Sequence, residues 1–232
     1  MAAKRSGALG KRSGRRKMAS PSAPEQHGEP SLSLERIVAT AVDLLDAHGV
    51  DGLTMRRLAD CLGSGVMSLY WHVDNKEEVF DLALDSALEY RGPPRTAETP
   101  DWRPEVALML EDWRAGMLRH PWSAALLSSR ALGPNILGRL ELLGATLSRA
   151  GVADADLNVA IWSLWNYVMG ATITRTSFDV AGNDRSATRQ RPAHPGGAYP
   201  TIQRSRLLLD DDWIGTFRKG LDLLLAGIAP RS

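Results

Sequence analysis

Cysteine is almost missing from this 232-residue chain, with Cys61 as its single example. An internal disulfide is therefore excluded, and the composition fits a reducing cytoplasm. No stretch approaches the roughly 18 consecutive apolar residues of a membrane span. The basic N-terminus has no apolar segment behind it that would make a signal peptide. A soluble chain with no membrane partner is the expectation. Catalysis has little to stand on either. His27, His48, His72, His120 and His194 are scattered, without metal-ligand spacing to one another or to Cys61. No strand period is visible, and no glycine-rich phosphate loop follows a strand. Asp210, Asp211 and Asp212 read as the acidic start of a helix, where the dipole favours negative charge, rather than as a metal site. No metal, no cofactor and no enzymatic activity are expected.

Net charge is scarce as well, at +1, so the total says nothing about nucleic acid. Its distribution says more. Residues 1–17 hold Lys4, Arg5, Lys11, Arg12, Arg15, Arg16 and Lys17 and no acid. Residues 1–32 are otherwise rich in Ala, Ser, Gly and Pro, which predicts a disordered basic arm able to reach phosphates or stay a solvated tail. What the chain does have is apolar content, 44%, enough for a sizeable core.

That content falls in helical periods. Ser33 caps a first helix with Glu35 near its positive end, Ile37, Val38, Ala41, Val42, Leu44 and Leu45 in its stripe, and Gly49 as its stop. The stretch Leu53–Lys76 reads LTMRRLADCLGSGVMSLYWHVDNK. Thr54 caps a helix with Met55, Leu58, Ala59 and Leu62 on one face, and Gly63 ends it. After a tight turn, Val66 to Val73 forms a second short helix with Leu69 and Val73 inward. Two short helices across a glycine-containing turn make a helix-turn-helix unit, although a plain helical hairpin satisfies the same pattern. Asn75 then caps a fourth helix with Glu78 in the capping-box position, which fades at Arg91–Gly92–Pro93–Pro94.

The residues LTMRRLADCLG, SLYWHV and DNK closely resemble the DNA-binding head of TetR-family transcriptional regulators. That resemblance implies DNA contact by Thr54 and Arg56 at the start of the second helix. It also implies base or phosphate contact by Ser68, Tyr70, Trp71 and His72, and a phosphate on Lys76. Met55, Val66 and Met67 stand where many relatives carry polar groups, so Val66 and Met67 would offer apolar contact to thymine methyls.

Beyond a linker at 92–100, a second helical region is expected over 101–228. Its helices run from Trp102 to His120, from Trp122 to Leu132, through Leu137–Leu147, and from Asp154 to Phe178. A mobile loop follows at 179–206, and a last amphipathic helix spans Leu207 to Ile228. His120–Pro121–Trp122 and FRKGLDLLLAGI resemble, more loosely, the ligand-binding bodies of actinobacterial TetR-type regulators. On the long helix Asn158, Trp162, Trp165, Met169 and Thr172 share a face that mixes rings with hydrogen-bonding groups, as pockets for organic molecules do. Met109, Trp113 and Met117 could form the opposite wall. Taken singly, each Trp or Met reads first as core; only the collective pattern points to a pocket. Ser163, Asn166, Gly170 and Ile173, with Leu221, Leu224, Leu225 and Ile228, could build a four-helix contact with a second copy.

The fold expected is all-α: a three-helix helix-turn-helix domain at 33–91, including a connecting helix, and a helical ligand-binding and dimerisation domain. The resemblance implies a homodimeric regulator of double-stranded operator DNA, a repressor released by a small hydrophobic or aromatic inducer. The rival is a small-molecule-binding module or cryptic enzyme that keeps the head only as structure.

Overall fold

The computed structural model describes residues 32–92, 101–182, 199–205 and 212–228. The basic arm, residues 93–100 of the linker and most of the expected loop lie outside them. Every element described is a helix, and each begins or ends where a local signal dictates. In α1 (Leu34–Gly52) the Ser33 hydroxyl accepts from the Arg36 N–H at 3.3 Å, and Gly49, at φ +67°, interrupts the helix near its end. In α2 (Met55–Cys61) the Thr54 hydroxyl accepts from the Arg57 N–H at 3.1 Å. It closes in a Schellman pair: Ser64 N–H donates to Ala59 O and Gly63 N–H to Asp60 O, with Gly63 at φ +64°.

The second helix of the reading unit is shorter than its apolar spacing suggested. α3 covers Val66–Leu69, and bonds from His72 N–H and Val73 N–H to Leu69 O carry one further turn. Leu69 and Val73 are buried beneath it. α4 (Lys76–Ala87) starts at a capping box, in which Asn75 accepts from Glu78 N–H at 2.9 Å and Glu78 accepts from Asp74 N–H.

The body contains α5 (Trp102–Arg119), α6 (Trp122–Leu127), α7 (Pro134–Arg149), α8 (Asp154–Gly182), α9 (Pro200–Ser205) and α10 (Trp213–Ile228). Three boundaries differ from expectation. α6 ends at Leu127 rather than Leu132. α8 runs past Phe178 to Gly182, and Pro200–Ser205 is helical where a loop was expected. The last helix is described from Trp213, its first turn capped by Asp212, which accepts from Gly215 N–H at 2.8 Å.

α1 packs on α4 and α2, while α5 lies among α7, α8 and α10. One apolar core runs through head and body, from Ile37 and Leu45 through Leu84 and Leu88 to Leu110, Leu143, Leu164 and Leu221. Burying each such side chain contributes about 1.5–3 kcal/mol. Among the described residues no helix is long and apolar enough to cross a membrane.

Candidate nucleic-acid interface and the cavities of the body

Leu58, Leu69 and Val73 anchor the recognition turn from behind, so the residues between them must point outward. Met67 is 74% exposed, Tyr70 44% and Trp71 89%. Three large apolar side chains at adjoining positions, left in water, form a patch that burial alone does not explain. Arg56, Thr54 and His72 are also exposed, whereas Val66, Ser68 and Lys76 are half-buried. The Thr54 hydroxyl is engaged in capping α2. Lys76 Nζ lies 5.0 Å over the Phe80 ring, at the first turn of α4. There the helix N-terminus and the ammonium together favour a phosphate. The face thus places apolar and hydrogen-bonding side chains beside the cations Arg56 and Lys76.

Four polar ties join this head to the body. Asp46 of α1 accepts from His120 Nδ1 at 2.8 Å and from Trp122 Nε1 at 2.6 Å. Arg130 binds Asp81 at 2.9 Å and the Glu77 carboxylate, while its guanidinium lies over Phe80. Asp85 accepts from the N–H groups of Asn135 and Ile136, at 3.0 and 3.1 Å, and so caps α7 from α4. Arg139 of α7 returns the favour: it donates to Leu88 O, to Glu89 O at 2.7 Å and to Asp112 at 2.7 Å. Burial pulls the Arg139 pKa below its ordinary value, and the Asp112 carboxylate pushes back.

Sequence reasoning missed these ties. Their one visible signal was Asp85 itself, a carboxylate amid the apolar residues Ala83, Leu84, Ala87 and Leu88.

The expected ligand residues do not gather in one pocket. Met109 and Trp113 line a small cavity of about 10 Å³ with Tyr90, Leu110 and Arg139. That is room for about one water. Trp165 meets Trp113 edge-on at 4.7 Å and Trp162 at 5.8 Å. The Trp113 indole N–H is buried without an acceptor. Burial pushes the Tyr90 hydroxyl pKa up.

Trp162, about half exposed, lines instead an open groove of about 820 Å³ between α7 and α8. Met117 and Thr172 are fully buried, and the Thr172 hydroxyl donates to Val168 O at 2.8 Å within its own helix. Asn158 is exposed and Met169 half-buried, and neither lines these cavities. The shared helical face exists, but α5 covers part of it and leaves the rest in solvent. A third cavity, about 320 Å³, lies among α5, α8 and α10. A fourth, about 440 Å³, lies between the start of α8 and the end of α10.

An outward recognition turn on a helix-turn-helix, tied by side chains to a helical body with cavities, defines a DNA-binding regulator. Comparison with known proteins gives the family. The model of the tetR family of bacterial regulatory proteins matches residues 37–83, and that of the tetracyclin repressor-like C-terminal domain matches 94–231. The chain belongs to the TetR family of transcriptional regulators. It is 39% identical over 206 residues to an HTH-type transcriptional regulator of Saccharopolyspora erythraea, covering 87% of this chain and 86% of that one. Its fold is similar to that of the Streptomyces coelicolor TetR family protein ActR in complex with actinorhodin. There the TM-score is 0.73 at 29% identity, over 86% of this chain and 96% of that one. It also resembles BioQ with its double-stranded DNA operator, with TM-score 0.58 at 30% identity over 86% and 99% of the two chains.

Proposed function

We propose that the chain is a homodimeric repressor whose two heads hold operator DNA and are released by a flat, partly aromatic molecule in the body. One junction carries this reading. Arg139 walls the Trp113 cavity and also holds the carbonyls that end α4. DNA contact falls to Arg56, Tyr70, Trp71 and His72, with Val66 and Met67 on thymine methyls and Thr54, Ser68 and Lys76 on the backbone.

A ring entering beside Trp113 must widen a space that holds about one water, so it displaces Tyr90 or Arg139. Either movement shifts the last turn of α4, whose first turn carries Lys76 beside the recognition turn. The ligand then binds best to the arrangement whose heads no longer match both half-sites, and operator affinity falls by that difference. The unpartnered Trp113 N–H favours an inducer with a carbonyl or phenolic oxygen among its rings. Met109 completes the walls and Trp165 packs edge-on against Trp113, while Met117 and Thr172 are buried outside this lining. Asn158, Trp162 and Met169 act only if the α7–α8 groove is the way in. The actinorhodin bound by ActR and the operator bound by BioQ support the two halves of this reading.

A second copy would cover Val159, Ile173, Ile214 and Leu223, which stand exposed on α8 and α10. Leu221 and Leu225, expected in that contact, are buried within the chain and serve its own core. Work in the cytoplasm follows from the reading.

The test uses DNA upstream of the chain's own gene, random duplex and actinorhodin as probe ligand. Tyr70→Ala should lower affinity for the upstream DNA more than for random duplex. Lys76→Ala should weaken both and reduce the salt slope by about one. Unchanged binding in both variants would sink the DNA assignment. Actinorhodin should quench tryptophan fluorescence and release DNA from the parent but not from Trp113→Phe, which removes the indole N–H. Release that survives in that variant removes Trp113 from the inducer site.

A further inference from the structure

Glu111 and Arg114 sit three residues apart on α5, a spacing that ordinarily lets such a pair meet. The structure directs Glu111 elsewhere. Both its carboxylate oxygens accept from Arg218 of α10, at 2.7 and 2.9 Å. Arg114 is left nine-tenths buried, its Nε without a hydrogen-bond partner and its guanidinium 4.9 Å over the Phe217 ring. Among the described residues no carboxylate pairs with it. A buried cation without a counter-ion is unfavourable, and pairing it relieves that cost. Burial, and then the nearby positive charge of Arg175, pull the Arg114 pKa below its ordinary value. The Glu111 carboxylate, turned to Arg218, offsets only part of this pull.

Arg114 lines the cleft of about 320 Å³ among α5, α8 and α10. Its lining is aromatic: Tyr167 stacks on Phe217 at 5.2 Å, and Trp213 also lines it. The Tyr167 hydroxyl already donates to Phe217 O at 2.8 Å, so Asn166 and Thr216 supply the free polar groups. An unpaired guanidinium inside an aromatic cleft suits one chemistry. We propose that this cleft binds a planar aromatic carboxylate, whose oxygens pair with Arg114 and whose ring lies against Trp213. The cleft shares no lining residue with the Trp113 cavity, so the two sites can stand or fall separately.

The probes are 1-naphthoate and its neutral counterpart of similar shape, 1-naphthylmethanol, titrated calorimetrically into the full-length protein without DNA. Naphthoate should bind at least about tenfold more tightly than the alcohol, a difference of about 1.4 kcal/mol. Arg114→Met keeps the stem over Phe217 and should abolish that preference, while Arg114→Lys should retain part of it. Thr216→Phe fills the cleft without touching the charge and should weaken both probes. Trp113→Phe should leave naphthoate affinity unchanged, which separates this site from the inducer cavity. Equal affinity for the two probes, or a preference that survives in Arg114→Met, overturns the proposal. So does a parent protein that binds no naphthoate while Arg114→Met loses its dimer, since the guanidinium then serves a carboxylate of the second copy.

Discussion

Asp85→Ala removes the acceptor that α4 offers to the first turn of α7. That turn has no cap of its own: Gly133 stands at the capping position and Pro134, next in line, has no N–H. The N–H groups of Asn135 and Ile136 depend on the Asp85 carboxylate, which is itself 7% exposed. Leaving a buried donor unmet costs about 1–3 kcal/mol, and loss of a helix cap typically about 1 kcal/mol. Relief of the carboxylate's own desolvation offsets part of this, so the net expectation is about 2 kcal/mol. In a chain of this size that lowers the melting temperature by about 4–8 °C. Asp85→Asn, which keeps one oxygen acceptor, should lose about half as much.

Gly133 supplies a control. A Cβ there would stand 2.4 Å from the Asp85 carboxyl carbon, so Gly133→Ala should destabilise the parent and be better tolerated beside Asp85→Ala. The double-mutant cycle should show a coupling of about 0.5–3 kcal/mol. Melts are run at one fixed protein concentration, because the proposed dimerisation would make stability depend on it. Asp85→Ala melting within about 1 °C of the parent, or Gly133→Ala costing the same in both backgrounds, refutes the reasoning. Inducer response is the functional readout. A loosened α4–α7 junction should reduce the coupling between inducer and operator below the usual span of about 1–3 kcal/mol, with a smaller effect on ligand-free operator affinity.

Trp165→Ala should cost about 3–5 kcal/mol in stability because it empties a buried site, whereas Trp162→Ala, half exposed, should cost far less; equal losses in urea melts would contradict their placement. Glu111 is held below the usual carboxylate range, chiefly by its hydrogen bond from Arg218. A depressed folded-state pKa means stability that is full above about pH 4.5 and lost as pH falls through the folded value. Glu111→Gln should therefore flatten the acid limb of melting temperature against pH, and an unaltered limb would count against the pair. Deleting residues 1–30 should leave folding intact while lowering affinity for operator and random DNA by similar factors; at low salt, undiminished binding to both would make the arm a tail.

Local chemistry was legible in the residues themselves. Ser33, Thr54 and Asn75 cap their helices, and Gly49 and Gly63 adopt positive φ, because each signal acts over three or four neighbouring positions. The recognition turn was readable for the same reason: Leu69 and Val73 turn inward and Tyr70–His72 outward within one short stretch. The body was different. α8 is apolar nearly all round, so its period could not say which face its neighbours would cover. Trp162 and Trp165, three residues apart, end up half exposed and buried because α5 reaches one and not the other. The ties from Asp85 to α7 and from Asp46 to His120 span 50 and 74 positions. No local propensity specifies such a pairing; only the packing of α1 and α4 against the body brings donor and acceptor together.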